Sequence, residues 1–166
     1  MTDFEKRLEE KRKAFEADQA ERAIVAAESR SSAERLIADA VDLLRQHVLP
    51  TLMSAQRKLQ EQGMDLLIEE EFDVSLFSKP VPKVSATCGS PARKSDGYRM
   101  ESRPLIIEVS EGLFSIGIGK EHNRRFIEKH VAKAVPGDAQ GHIQEQLLQL
   151  TDEVLEKLKA FHGPWN

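Results

Sequence analysis

The stretch LIIEVSEGLFSIGI, residues 105–118, is apolar at every second position (105, 107, 109 and 114, 116, 118) on the two sides of a Ser110-Glu111-Gly112 step, with Ile106 and Leu113 apolar besides. Side chains of an extended chain point alternately to its two faces, so Leu105, Ile107 and Val109 share one face. Phe114, Ile116 and Ile118 share one face of the return segment. Period-two apolarity on either side of a glycine-containing turn predicts an antiparallel hairpin. Gly117 and Gly119 fall on the other face, where they leave room for a packed helix or bend the strand. They do not make a phosphate loop with Lys120, because the G-x-x-x-x-G-K-[ST] spacing is missing and Glu121 follows the lysine.

Upstream the same period recurs twice. Val84, Ala86 and Cys88 alternate with Lys83, Ser85 and Thr87. Ile68, Phe72, Val74 and Leu76 alternate with Glu69, Glu71, Asp73 and Ser75, and Glu70 falls on the apolar side, where burial would demand a basic partner. Residues 89–97 are rich in Gly, Ser, Pro and charge, and predict a loop. Tyr98 and Met100 are apolar at even positions, whereas Leu105 to Val109 are apolar at odd ones. A one-residue slip exchanges the faces of a strand, so a bulge or a break is expected near Arg103-Pro104, and Pro104 predicts a sheet edge there.

Downstream the period lengthens. Phe126, Ile127, His130, Val131 and Ala134 fit one face of a helix, ended by Pro136-Gly137. From about Asp138, Ile143, Leu147, Leu150, Val154 and Phe161 form a second helical stripe, flanked by Leu148, Leu155 and Leu158. At the other end of the chain, Thr2 and Glu5 have the spacing of a capping box. Asp3 to Arg7, Glu9 to Lys13 and Asp18 to Arg22 are acid-before-base pairs at i, i+4, which support a helix without tertiary contacts. Apolar residues are sparse there (Phe4, Leu8, Phe15), and the stripe thickens from Ala33 to Val48. Ser31 and Glu34 repeat the capping-box spacing, which leaves two readings open, a continuous helix or one that restarts there. Pro50 predicts a kink or a new helix, and Gly63 a stop.

These elements predict an α+β fold: a long N-terminal helical arm (one kinked helix or two to three), a central antiparallel sheet of about four strands, and two C-terminal helices covering one face. The expected organisation is an arm over residues 1–63, a sheet over 64–120 and C-terminal helices over 121–166, the last two forming one domain. A helix from Thr2 to Val48 would span ~70 Å. With 40% hydrophobic and 31% charged residues the chain suits a globular fold, and few aromatics leave its core to Leu, Ile, Val and Ala.

Cys88 is the one cysteine, so no intrachain disulfide forms. The first residues carry no apolar leader and no run approaches a membrane span, so the expected compartment is the cytoplasm, with no membrane partner. The net charge of −4 is unevenly spread: residues 1–78 carry −6, residues 79–133 carry +5 and residues 134–166 carry −3.

Most polar clusters have an ordinary structural explanation. His122 and His130 are eight apart, ~12 Å along a helix, too far to share a metal readily, and no zinc or other metal motif is present. His130 belongs to the apolar stripe as a core or boundary histidine. Cys88 ends a strand as a small buried apolar residue. Glu69, Glu71 and Asp73 are the solvated face of a strand. No nucleophile, base and orienting group can be assembled, and no cofactor is implied.

Two features remain. The first is an association face of Ala33, Leu36, Ile37, Ala40, Leu44 and Val48, at near-heptad spacing, which predicts a homodimer or an unidentified protein partner. The second is the basic middle, in which Arg93, Lys94, Arg99, Arg103, Arg124 and Arg125 form an anion-binding set, with Arg124 and Arg125 at the positive end of a helix. That set predicts either docking of the chain's own acidic helices or binding of a nucleic-acid backbone. The leading expectation is a non-enzymatic, homodimeric adaptor, scaffold or chaperone-like module; the alternative is a nucleic-acid or anionic-ligand binder.

Overall fold

The Leu105–Ser110 and Leu113–Lys120 strands form the expected hairpin, with Ser110 paired to Leu113 across a two-residue loop. Glu111 (φ 53°) and Gly112 (φ 74°) both have positive φ, as a type I′ turn requires. Such a turn matches the right-handed twist of the strands it joins. Glycine tolerates this conformation freely, but the glutamate bears the steric cost of its Cβ.

The computed structural model describes residues 2–72, 81–120 and 123–161, with the backbone alone for 123–128. The elements are α1 (Asp3–Leu43), a π-helical turn (Leu44–Val48), α2 (Leu49–Glu61), β1 (Asp65–Glu71), β2 (Lys83–Gly89), β3 (Leu105–Ser110), β4 (Leu113–Lys120), β5 (Asn123–Ala134) and α3 (Pro136–Ala160). The sheet is an antiparallel meander in the order β1-β2-β3-β4-β5. The chain divides into two units, Met1–Ile37 and Ala38–Asn166.

The first unit is helical from Asp3. Its capping box forms as expected: the Thr2 amide donates to Glu5 Oε2 (2.6 Å), and the Glu5 amide donates to Thr2 Oγ1 (3.2 Å). The pairs Asp3–Arg7, Glu9–Lys13 and Asp18–Arg22 all close, at 3.7, 3.3 and 3.1 Å. Each exposed pair is worth only about 0.3–0.5 kcal/mol, but a sparse stripe leaves the helix dependent on such terms. The helix does not restart at Ser31. It runs through the serines, and Ser32 Oγ donates back to the Glu28 carbonyl (3.1 Å), a bond that satisfies the hydroxyl without breaking the helix.

In the second unit the helix bends before Pro50. Proline has no amide to donate and its ring collides with the carbonyl four residues earlier. The chain accommodates this with one turn of π-helix, in which the Leu49 amide reaches the Leu44 carbonyl, five residues back. Pro50 then lies in the first turn of α2, and Thr51 Oγ1 donates to the His47 carbonyl (3.1 Å). The wider turn also keeps Ala40, Leu44, Val48 and Leu52, each four apart, on the buried side. An uninterrupted α-helix would rotate such a series steadily away.

These four residues form one core with the inward faces of the strands (Leu66, Val84, Ala86, Cys88, Leu105, Ile107, Phe114, Ile116, Ile118) and with Ala139, Ile143, Leu147, Leu150 and Val154 of α3. On the opposite face of the sheet Ser85, Thr87 and Ile106 are buried as well, and Lys83 pairs with Glu108 (3.4 Å) across β2 and β3.

Several expectations are corrected. The fold is α+β, as expected; among the described residues the sheet, expected to have about four strands, has five, and one C-terminal helix stands where two were expected, because residues 123–134, expected to be helical, are strand β5. The partners of Ile116, Gly117, Ile118 and Gly119 are Ala132, His130, Lys129 and Ile127, with register shifts at the glycines. Each shift inserts unpaired residues into β5. Insertions of this kind stretch a two-residue period towards that of a helix, which is why Phe126, Ile127, His130, Val131 and Ala134 resemble a helical face. Pro136 opens α3 at its first turn rather than ending a helix before it. The parity flip before Leu105 is a break, since residues 98–104 hold only the isolated bridge of Gly89 with Glu101. Pro104 precedes β3, which lies inside the sheet and not at an edge. Its carbonyl accepts from the Gly119 amide (2.9 Å). β1 begins at Asp65, earlier than expected, and Glu70 is exposed at its end, so no basic partner is demanded. Asp73, Val74 and Leu76 lie outside the described residues.

Candidate functional site

The predicted association face is divided by the fold. Ala40, Leu44 and Val48 are buried in the core of the second unit and so cannot serve as a free surface. Ala33 and Ile37 are half-buried, and Leu36 is 70% exposed. What the first unit leaves open is an earlier series: Phe4 (73% exposed), Leu8, Phe15 (62%), Ile24, Val25 and Leu36. The 4- and 7-residue steps of Phe4, Leu8 and Phe15 were visible in the sequence, but their spacing is too sparse to stand out beside the thicker stripe after Ala33. Five i, i+4 ion pairs lie along the same helix.

Of the four residues of the basic set whose side chains are described, three are engaged within the second unit. Arg93 makes a two-pronged pair with Asp96, through Nε at 2.9 Å to Oδ1 and through Nη2 to Oδ2. Its guanidinium also lies over the rings of Tyr98 (5.7 Å) and Phe161 (5.1 Å). The Arg93 guanidinium first, and the Tyr98 amide second, hold the Asp96 carboxyl down at about 2. Arg99 donates from Nη2 to Asp65 and from Nε to the Ser90 carbonyl (3.1 Å), tying the loop to the start of β1. Gly89 makes room for it, because a Cβ there would lie 2.9 Å from Arg99 Nη2. Arg103 donates to Glu153 of α3 (3.2 Å). Lys94 is exposed. Arg124 and Arg125 fall on β5, so no helix terminus adds its dipole to them; their side chains lie outside the described residues.

Among the described residues the remaining polar side chains are dispersed. Cys88 is buried, its Sγ 3.9 Å from Thr151 Oγ1, and desolvation pushes its thiol up against the smaller opposing pull of Thr151 and Ser102. A thiol so placed is a weak nucleophile. His130, expected at the core boundary of a helix, is exposed on β5 opposite Gly117, and His122 lies outside the described residues. His47 packs edge-on against Phe114 at 6.1 Å. Among the described residues no three His, Cys, Asp or Glu side chains are grouped so as to hold a metal ion.

Between α2 and α3 run two adjoining shallow cavities of about 350 and 340 Å³, sharing Thr51, Ser54 and Gln144. The first is lined partly by Leu59, Leu147 and the exposed Leu148, the second by His47, Gln140 and the start of α3. Among the described residues no helix is long and apolar enough to cross a membrane. No protein-family model, curated protein or solved structure matches the chain.

Proposed function

We propose that the chain is a non-enzymatic interaction protein, a homodimeric adaptor or scaffold with chaperone-like exposure of apolar side chains, which associates through its N-terminal helix. The observation that carries this is the open series Phe4, Leu8, Phe15, Ile24, Val25 and Leu36 on a helix that is otherwise polar. Burial of a large apolar side chain is worth roughly 1.5–3 kcal/mol, so a second helix laid on this series gains several such contributions at once. The face expected from the sequence at Ala40, Leu44 and Val48 is occupied by the core, which moves the proposed interface towards the N-terminus. The alternative, an anionic ligand or nucleic acid on the basic region, has less to draw on: Arg93, Arg99 and Arg103 each already hold a carboxylate.

The test is the solution mass across a concentration series, by light scattering or sedimentation. The expected result is twice the chain mass of 18.7 kDa, reverting to one chain mass in Phe15→Asp and Leu36→Asp. A wild-type monomer at millimolar concentration overturns the proposal.

A further inference from the structure

We infer that the first unit pairs with a second copy of itself in antiparallel orientation, about a two-fold axis level with Ala20, with Phe4 opposite Leu36, Phe15 opposite Val25 and Asp18 opposite Arg22. This inference rests on the homodimer proposed above and specifies its geometry.

The exposed residues Phe4, Leu8, Phe15, Val25 and Leu36 all fall on one alternating four-three frame along the helix. Ile24 lies beside it. The frame's other positions are Lys11, Asp18, Arg22, Ser29 and Ser32, all exposed. A four-three frame is the seam along which two helices pair, and here it runs from residue 4 to residue 36, ~50 Å of helix and more than four heptads.

The polar positions decide the orientation. A parallel pair in register places Lys11 on Lys11, Asp18 on Asp18 and Arg22 on Arg22, three layers of like charge at the seam. An antiparallel pair centred on Ala20 has none: each Asp18 meets an Arg22, each Lys11 meets Ser29, each Leu8 meets Ser32, and the other large apolar residues of the frame meet one another, Phe4 with Leu36 and Phe15 with Val25. A shift of one heptad towards the N-terminus would set Lys11 on Arg22 and Phe15 on Asp18. The opposite shift would set Leu8 on Asp39 and Lys11 on Leu36. On the rim Arg7 passes Arg35 and Glu21 passes its own copy beside the axis, small costs for exposed charges, and Arg7 keeps Asp3 beside it on its own helix. The boundary of the unit agrees independently, since in this register the paired stretch ends just where the second unit begins, after Ile37.

Cysteine pairing reads the register directly. In a Cys88→Ala background the double variant Lys11→Cys/Ser29→Cys is treated with a mild oxidant or a short bismaleimide, alongside each single variant. The expected result is a covalent dimer from the double variant and none from either single. Covalent dimers from Lys11→Cys alone would establish parallel pairing and overturn the inference. A dimer by mass that fails to cross-link through residues 11 and 29 overturns this register but leaves the homodimer standing, whereas a monomer removes both. Charge exchange gives a second readout. Asp18→Arg should weaken the dimer by at least about tenfold, and Asp18→Arg/Arg22→Asp should restore it, with helical content followed by circular dichroism because the two residues also pair within one helix. Parallel pairing predicts no rescue.

Discussion

Truncating Leu44 and Leu36 separates the core from the proposed interface. Both lie on the stripe that the sequence offers as a single face, but Leu44 is fully buried and Leu36 is 70% exposed. For Leu44→Ala the lost burial of the isobutyl group costs about 2 kcal/mol. The void left between the π turn, the sheet and α3 adds a cavity term, bringing the total to about 3 kcal/mol. For a chain of this size that corresponds to a fall in Tm of roughly 6–12 °C. Leu36→Ala should change monomer stability by less than about 0.5 kcal/mol, as exposed substitutions do. It should instead lower the concentration-dependent part of the stability, which reports association. The assay is urea unfolding followed by circular dichroism at two protein concentrations a hundredfold apart. If Leu44→Ala unfolds within 0.5 kcal/mol of wild type, or if Leu36→Ala costs as much as Leu44→Ala at the lower concentration, the division of this stripe into core and surface is wrong.

Glu111→Asn should stabilise the protein by about 0.5–1 kcal/mol, because Asn-Gly suits two successive positive φ values and glutamate does not; unchanged or lower stability in urea would contradict the turn geometry. The Cys88 thiol is raised in the folded chain and ordinary in the unfolded one. The unfolded chain therefore loses its proton first, and stability should fall as pH rises through about 8.5 towards the folded value. Comparing wild type with Cys88→Ala between pH 7 and 10 isolates this loss, and parallel stability curves for the two would argue against a buried neutral thiol.

The sequence alone determined whatever depends on neighbours along the chain. The hairpin around Glu111-Gly112, the Thr2–Glu5 cap and the i, i+4 ion pairs are set by local spacing, and local spacing is all they need. The inward set Val84, Ala86 and Cys88 and the Ile143 to Val154 stripe are legible for the same reason, since each element keeps its own period throughout. Only the tertiary structure decided matters that depend on distant partners. β5 takes its extra residues from its pairing with Gly117 and Gly119, so its period is a property of two strands, and read singly it resembles a helix. Ala40, Leu44 and Val48 are apolar at the same spacing as Leu36, and nothing along the chain distinguishes a face covered by its own sheet from one left open. Arg93, Arg99 and Arg103 form a basic cluster in the sequence, and their charge is spent on Asp96, Asp65 and Glu153, the last two far along the chain. Hydrophobicity and charge show which surfaces must find a partner; the folded arrangement decides whether that partner is the same chain.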